Sequence, residues 1–182
     1  MIVDSLDVLL QQGHQFGTLY IDPPWRYRNT RTRGAAIKHY PTMSLEEITA
    51  LPVPQLSATN SHLHLWTTVS FLFEGIQLLR AWGFRDEGLM TWVKPTMGLG
   101  NYWRLSTEFL LLGVKGECPF PLGIEIADVQ YHPRLKHSQK PELFRQLIIQ
   151  VSPGPYLELF ARRDVPGWTV WGNEVAPFIA AG

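Results

Sequence analysis

Short apolar runs recur along this chain and are separated by polar turns. Six runs combine β-branched, aromatic or alternating positions in the way that is typical of strands. They lie at residues 18–21, 62–68, 88–93, 108–114, 156–161 and 168–171. A shorter run at 126–131 predicts an edge strand, whereas the almost wholly apolar run at 108–114 indicates a central strand.

Helical patterns occupy several of the intervals between these runs. Ser44 and Glu47 have the spacing of a capping box, in which each side chain bonds the backbone of the other. Apolar residues spaced to lie on one helix face predict a helix over 71–82, which ends at Gly83. The predicted helical segments are 44–52, 71–82 and 141–151, and residues 4–17 are predicted to form a helix or a turn.

Strands that alternate with helical segments predict one α/β domain covering residues 1–182, with a largely parallel sheet. The strand at 108–114 follows the strand at 88–93 across a glycine-containing loop without a helical pattern. We therefore expect these two strands to pair antiparallel within the otherwise parallel sheet.

Composition narrows the class of protein. With 45% hydrophobic and 18% charged residues, the chain is globular rather than disordered. The single cysteine, Cys118, excludes an internal disulfide and a cysteine-rich metal site. No long apolar run or leader pattern is present, so we expect a cytoplasmic protein without a membrane partner. The zero net charge argues against coating of nucleic acid by bulk electrostatics.

Positive charge is nevertheless concentrated locally. The loop 26–40 contains no acid and carries Arg26, Arg28, Arg31, Arg33 and Lys38. A second basic stretch covers residues 132–140. Arginines without counter-charges favour phosphate contacts, although a solvated surface loop would have the same composition.

The basic loop is attached to the most unusual turn of the chain. The first strand ends in Asp22-Pro23-Pro24-Trp25, because two prolines cannot continue a ladder of backbone hydrogen bonds. Asp22 is thereby placed at the carboxyl edge of the sheet, where open α/β sheets bind ligands. Taken alone, this tetrapeptide is equally consistent with a simple turn and a capping aspartate.

Histidines offer an alternative site. His62 and His64 share one face of a predicted strand, and His132 and His137 could add ligands. Because no acids or further cysteines cluster with them, we expect no metal site.

Several motifs occur in one order along the chain. They are Asp22-Pro-Pro-Trp25, Tyr102-Trp-Arg104 with Glu108, Gly113-Val-Lys-Gly116, His137-Ser-Gln-Lys-Pro141, Glu158-Leu-Phe-Ala-Arg162, and Trp168 with Gly172-Asn-Glu174. This order resembles the DPPW adenine methyltransferases, the family of the catalytic subunit of eukaryotic mRNA adenosine methyltransferase and its bacterial and phage relatives. The similarity covers roughly residues 18–175, and six ordered motifs are far more specific than any single one.

The resemblance implies a Rossmann-like S-adenosylmethionine-dependent methyltransferase fold in the permuted motif order of the beta class, with helices on both faces of the sheet. It also implies methyl transfer to the 6-amino group of adenine. The catalytic turn would be Asp22, Pro23, Pro24 and Trp25. An exocyclic amine is a weak nucleophile, so a carboxylate and a proline carbonyl that accept its N–H bonds can orient it towards the methyl group without a metal.

For the cofactor, the resemblance assigns Lys140 to the carboxylate of the methionine end and Asp22 to its ammonium. Arg162 and Asn173 match ribose-contacting positions. The remaining cofactor candidates are His137, Glu158, Glu174 and Asp4. The chain departs from the eukaryotic pattern at Arg163-Asp164, where a proline and a His-Asn pair are usual, and at Asn173-Glu174, where Asn-Gln is usual.

The target adenine must be flipped out of a duplex or already be unpaired, and an aromatic face is expected to receive it. Trp25 is the first candidate, followed by Tyr27, Tyr40 and Trp103; the basic loop and Arg104 are candidates for contacts with the nucleic acid. Core packing is the alternative for each aromatic residue. We expect DNA rather than RNA as the substrate. A catalytically silent nucleic-acid-binding subunit stays open, as does a homodimer or a separate target-recognition subunit.

Overall fold

The computed structural model describes residues 1–26, 42–98, 102–135, 139–172 and Val175. Their core is a seven-stranded sheet in the order β5-β3-β4-β2-β1-β6-β7. The strands are β1 (Phe16–Ile21), β2 (Ser57–Thr67), β3 (Arg85–Val93), β4 (Thr107–Lys115), β5 (Val129–Tyr131), β6 (Tyr156–Leu159) and β7 (Trp168–Trp171).

Strand direction confirms the predicted mixture. β1 is parallel to β2 and β6, β6 is parallel to β7, and β3 is parallel to β5. Only β4 runs against its neighbours β2 and β3 among the described strands. The mostly parallel α/β fold and the antiparallel β3–β4 pair are therefore confirmed.

Helices cover both faces of the sheet, and side-chain alternation along β1 decides what each face packs. Leu19 and Ile21 point into the core formed with α1 (Leu6–Gln11), α2 (Leu45–Thr49), α3 (Val53–Leu56) and α4 (Leu72–Ala81). Tyr20 points to the other face, where Phe144 and Ile148 of α5 (Glu142–Val151) cover it. Asp22 has the same parity as Tyr20, so it lies on the α5 side.

Some element boundaries differ from the sequence prediction. β2 begins at Ser57 rather than at residue 62, because the polar segment before it already pairs with β1 and β4. α4 begins after Phe71 without a side-chain cap, and a 3-10 turn over Val69–Phe71 precedes it. β6 ends at Leu159 because Phe160 adopts a φ of 62°, outside the strand region.

Other local predictions are confirmed. Ser44 and Glu47 make both bonds of the capping box at the start of α2. Gly83 has a φ of 82°, the left-handed conformation that lets the chain turn away after α4. No helix within the described ranges is both long and apolar enough to cross a bilayer.

The strand order creates a topological switch point. From β1 the chain continues to its neighbour β2, whereas from β6 it continues to β7 on the opposite side. Adjacent parallel strands whose connections diverge leave a crevice at their carboxyl ends. Asp22 follows β1 directly and therefore lies at this crevice.

Candidate active site

Contacts of Trp25 with the protein interior fix the turn after β1. The Trp25 indole Nε1 donates to the Trp66 carbonyl at 3.2 Å, and its ring stacks on Phe71 with centroids 5.0 Å apart. The backbone N–H of Trp25 donates to the Pro23 carbonyl at 2.9 Å. With only 7% of its surface exposed, Trp25 offers little area to a base, and its contacts support a role in fixing the turn.

A chain of charges crosses the crevice beside this turn. Lys140, just before α5, donates from Nζ to Asp22 Oδ2 at 2.7 Å and lies 3.3 Å from Glu108 Oε2. The other oxygen of Glu108 accepts from Lys94, which follows β3. Glu108 reaches this edge because β4 runs backwards, so that its first residues lie beside the last residues of its neighbours.

Mutual electrostatics tune these groups. Burial raises the pKa of Asp22 above its usual value; Lys140 opposes this, while the nearby Glu108 carboxylate adds to it. Burial would lower the pKa of Lys140, but Asp22 and Glu108 outweigh it and raise the pKa instead. Burial would raise the pKa of Glu108, but Lys140 and Lys94 lower it. Lys140 is thus held charged, and Asp22 is a stronger base than an ordinary aspartate.

The ammonium of Lys140 also contacts an aromatic ring. Its Nζ lies 5.1 Å from the ring centroid of Trp66, within cation–π range. The Trp66 indole donates to the Tyr20 hydroxyl at 2.7 Å, so the two rings are fixed relative to each other. Because Trp66 also accepts from Trp25 through its carbonyl, one residue of β2 links the turn and the lysine.

Glu158 lies next to Tyr20 in the register of β6 and β1, and it is buried. Both of its carboxylate oxygens accept from Arg145 of α5, at 2.6 and 2.8 Å. Burial raises the pKa of Glu158, and the hydrogen bonds from Arg145 oppose this. The predicted cofactor role of Glu158 stays a prediction, but the observed contacts are those of a buried ion pair that attaches α5 to the sheet.

The remaining predicted residues are distributed around this edge. Arg162 follows β6 and is close enough to Asp22 to help lower its pKa. Asp4 is exposed beyond the bridge between Ile2 and Val170 of β7. Arg26 is exposed and pairs with Glu47 at 3.1 Å.

Trp103 and Arg104 are exposed on the β3–β4 connection. Several candidates lie outside the described residues: Tyr27, Arg28, Arg31, Arg33, Lys38, Tyr40, His137, Asn173 and Glu174.

Sequence reasoning gave no role at the site to Glu108, Lys94 or Arg145. A usable signal existed for the first two. Lys94 follows the predicted strand 88–93 and Glu108 begins the next, so an antiparallel pairing of the two strands already implies that they meet at one edge. For Arg145, the arginine among the apolar positions of α5 was the available sign of a buried acidic partner.

The two histidines of β2 form a different constellation. Cys118 O accepts from His62 Nε2 at 2.6 Å, which leaves His62 Nδ1 to accept from the Ser152 hydroxyl at 2.8 Å. Ser152 Oγ in turn accepts from His64 Nε2 at 2.8 Å. Burial, with a smaller effect of His62, lowers the pKa of His64 to about 3. Among the described residues, no three His, Cys, Asp or Glu side chains are grouped to hold a metal ion.

The chain is similar to known proteins. A family model described as MT-A70 matches residues 16–174. The type II methyltransferase M.MunI of Mycoplasma sp is 32% identical, in an alignment covering 95% of this chain and 84% of that protein. The human N(6)-adenine-specific methyltransferase METTL4 is 31% identical over 97% of this chain, which spans only 41% of METTL4. The N6-methyladenosine RNA methyltransferase MTA1 of Cryphonectria parasitica is 26% identical over 90% of this chain and 52% of its own length.

Proposed function

Because the chain belongs to the MT-A70 family, we propose that it transfers a methyl group from S-adenosylmethionine to the 6-amino group of adenine in DNA. One observation carries the proposal: Asp22 and Lys140, 118 residues apart in the chain, meet at 2.7 Å in the crevice of the sheet. The proposal rests on the chemistry of this pair and on the turn that holds Asp22.

The pair matches the methionine end of the cofactor, which carries one carboxylate and one ammonium. Lys140 would hold the carboxylate and Asp22 the ammonium, so each charge of the ligand has an opposite charge in the site. The ion pair between Lys140 and Asp22 compensates the two charges. Arg162, and outside the described residues Asn173, would contact the ribose. When bound, the cofactor supplies an electrophilic methyl group on its sulfonium.

The catalytic turn would act on the amine by positioning. A carboxylate has about four lone-pair sites, so Asp22 can accept from Lys140 and still accept an N–H of adenine. The Pro23 carbonyl, although engaged by the N–H of Trp25, has a second lone pair for the same amine. The raised pKa of Asp22 makes it a better acceptor than an ordinary aspartate once it is ionised. Oriented acceptors of this kind hold the nitrogen lone pair towards the methyl group.

Charge placement supports a nucleic acid as the substrate. Ten of the 16 lysines and arginines lie in segments 23–45, 94–107 and 129–141, which contain no acid. The described parts of these segments follow β1 and β3 and surround the end of β5, at the edge that carries Asp22. The type II methyltransferase, the relative that this chain spans most fully of those compared above, supports DNA over RNA.

The direct test is methyl transfer from labelled cofactor to oligonucleotides of one sequence, presented as single-stranded DNA, duplex DNA and RNA. We expect incorporation into DNA that Asp22→Asn reduces by about a hundredfold or more, because the amide cannot replace an anionic acceptor. Glu125→Gln changes a carboxylate on the exposed loop before β5 and serves as the matched control. Equal incorporation by wild type and Asp22→Asn would remove Asp22 from the mechanism, and transfer to RNA alone would replace DNA as the substrate.

Cofactor binding separates an enzyme from a silent subunit. By calorimetry we expect heat on titration of S-adenosylmethionine into the protein, and weaker binding by Lys140→Gln, which removes the cation for the carboxylate. Arg80→Gln removes an exposed cation paired with Asp86, away from the crevice, and should bind as wild type does. Absence of heat at millimolar cofactor would favour a silent nucleic-acid-binding subunit.

A further inference from the structure

Four large side chains are exposed on two neighbouring segments at the active edge of the sheet. Met97, Tyr102 and Trp103 belong to the β3–β4 connection, with exposures of 73%, 96% and 86%, and Tyr131 ends β5 with 77%. Side chains of this size are costly to leave in water as a group, and such groups mark interaction sites. We refer to these four residues, three aromatic and one methionine, as the aromatic surface.

Backbone pairing brings the two segments together. Val93, the last residue of β3, is opposite Tyr131, and the His132 N–H donates to the Val93 carbonyl at 3.1 Å. Beyond Val93, the N–H of Lys94 donates to the Ser106 carbonyl at 2.7 Å. The connection therefore leaves the sheet beside the chain that follows Tyr131, and it leads away from the Lys94–Glu108 pair of the crevice.

Arg134 fits closely under this connection. Its Nη2 lies 2.6 Å from the position that a Cβ on Gly98 would occupy, and the Leu105 carbonyl lies 2.8 Å from the same position. Gly98 thus admits the guanidinium between the two segments, where it is near enough to help lower the pKa of Lys94, after burial as the main cause. A cation is in this way held between the crevice and the aromatic surface.

The charge of the two segments is of one sign. Residues 94–107 and 129–141 contain no acid but carry Lys94, Arg104, Arg134 and Lys140, together with Lys136 outside the described residues. Another exposed apolar stretch, around Leu122 and Ile124, lies instead between Glu117 and Glu125. A polyanion complements the first surface and not the second.

We infer that the aromatic surface binds the unpaired nucleotides beside the target adenine, with bases stacked on Tyr102, Trp103 and Tyr131 and phosphates on Arg104 and Arg134. The inference rests on the proposed function for the identity of the target, but it assigns a substrate class. Aromatic rings with interleaved arginines bind single strands, because every unstacked base has a face to offer. The protein then acts on single-stranded or locally opened nucleic acid.

Binding without cofactor tests the surface separately from catalysis. We expect a labelled single-stranded DNA that contains adenine to bind about tenfold more weakly, by fluorescence anisotropy, after Tyr102→Ala, Trp103→Ala or Tyr131→Ala. Trp103→Phe keeps an aromatic face, so it should retain most of the affinity while losing the part of the intrinsic fluorescence quenching that Trp103 contributes. Leu122→Ala removes an equally exposed apolar side chain among acids and should bind as wild type does.

Salt dependence tests the phosphate contacts. For a single strand, each neutralised phosphate contributes about 0.7 to the slope of log affinity against log salt. Arg134→Ala should therefore reduce the slope by about that amount, whereas Arg80→Ala, in an exposed pair with Asp86, should leave it unchanged. An unchanged slope in Arg134→Ala would contradict the assignment of Arg134.

The outcomes separate this inference from the proposed function. Weakened binding by the aromatic variants, together with absence of methyl transfer by wild type, would keep the surface and overturn the enzyme. Normal methyl transfer and unchanged DNA affinity in these variants would keep the enzyme and overturn the surface. Unchanged DNA affinity with altered self-association would identify a protein interface instead, and would also overturn the inference.

Discussion

At the scale of single residues, Trp25 is fixed by contacts inside the protein, and its predicted role towards a base stays a prediction. The sequence identified the turn, but not the two partners of the indole, Phe71 and the Trp66 carbonyl, because both depend on how β2 lies beside β1. Asp22, by contrast, follows from local chemistry alone: two prolines end a strand and leave a carboxylate at the sheet edge.

Replacing Trp25 with Phe keeps the stack on Phe71 but removes the donor to the Trp66 carbonyl. We expect a loss of about 1–3 kcal/mol in the free energy of unfolding from the lost hydrogen bond and the space left by the smaller ring. Denaturant unfolding of wild type and variant measures this loss of stability. The same substitution at Trp103, which is 86% exposed, should change stability by less than about 0.5 kcal/mol. Equal effects at both sites would mean that the Trp25 contacts carry no stability.

The raised pKa of Asp22 predicts a shifted pH dependence of methyl transfer. Protonation removes the anionic acceptor, so activity should fall as the pH decreases through this pKa, and the fall should begin above the ordinary aspartate value of about 3.9. The acidic limb of kcat/KM against pH measures it, and Asp22→Asn should abolish that limb in its residual activity. A limb at or below the ordinary value would contradict the burial of the carboxylate.

His64 predicts a pH dependence of stability. Its pKa is lowered from 6.5 to about 3 in the folded protein, so the unfolded chain takes up the proton first as the pH falls. The free energy of unfolding therefore carries no cost from His64 above about pH 6.5, and it falls between there and pH 3 by at most on the order of 5 kcal/mol. Urea melts from pH 7 to pH 4 measure it. His64→Leu should flatten the dependence, whereas His14→Leu, at an exposed position, should not.

At the scale of elements, α5 is attached to the sheet by the buried pair of Arg145 and Glu158. Arg145→Met leaves an uncompensated buried carboxylate, and we expect a loss of about 3–5 kcal/mol in the free energy of unfolding. Adding Glu158→Met removes that charge and should recover most of the loss. Thermal unfolding of the two single variants and the double variant measures the coupling. A double variant as unstable as the sum of the singles would show that the two residues act independently.

The bounds of helices and strands were easier to predict than the positions of these elements next to one another in the fold. Periodicity located the strands to within a few residues, and the capping box located the start of α2, because both signals lie within one segment. The place of β4 between β2 and β3, by which Glu108 meets Lys140, is a tertiary fact. Asp22 and Lys140 were both predicted to serve one end of one ligand, and the structure brings them together; their role with that ligand stays a prediction.

At the scale of the whole molecule, zero net charge conceals a strong separation of charge. Ten of the 16 lysines and arginines fall in the acid-free segments 23–45, 94–107 and 129–141, whereas Arg80 and Arg85 each pair with an acid close by in the chain, Asp86 and Glu87. We expect nucleic-acid affinity to fall steeply with salt despite the neutral composition. Arg104→Glu should weaken binding more than Arg85→Glu, measured at two salt concentrations. Equal losses would mean that net charge, and not its placement, governs binding.

The reversal of β4 has a consequence for how such a protein could acquire new sequence preferences. Because β4 returns antiparallel to β3, the connection between them begins and ends at the edge of the sheet that carries Asp22. Lengthening a loop costs little, about 0.6 kcal/mol for each doubling. Insertions between Met97 and Leu105 would therefore add loop surface at this edge without disturbing the sheet. This hairpin is accordingly the place where a change of sequence preference would disturb the fold least.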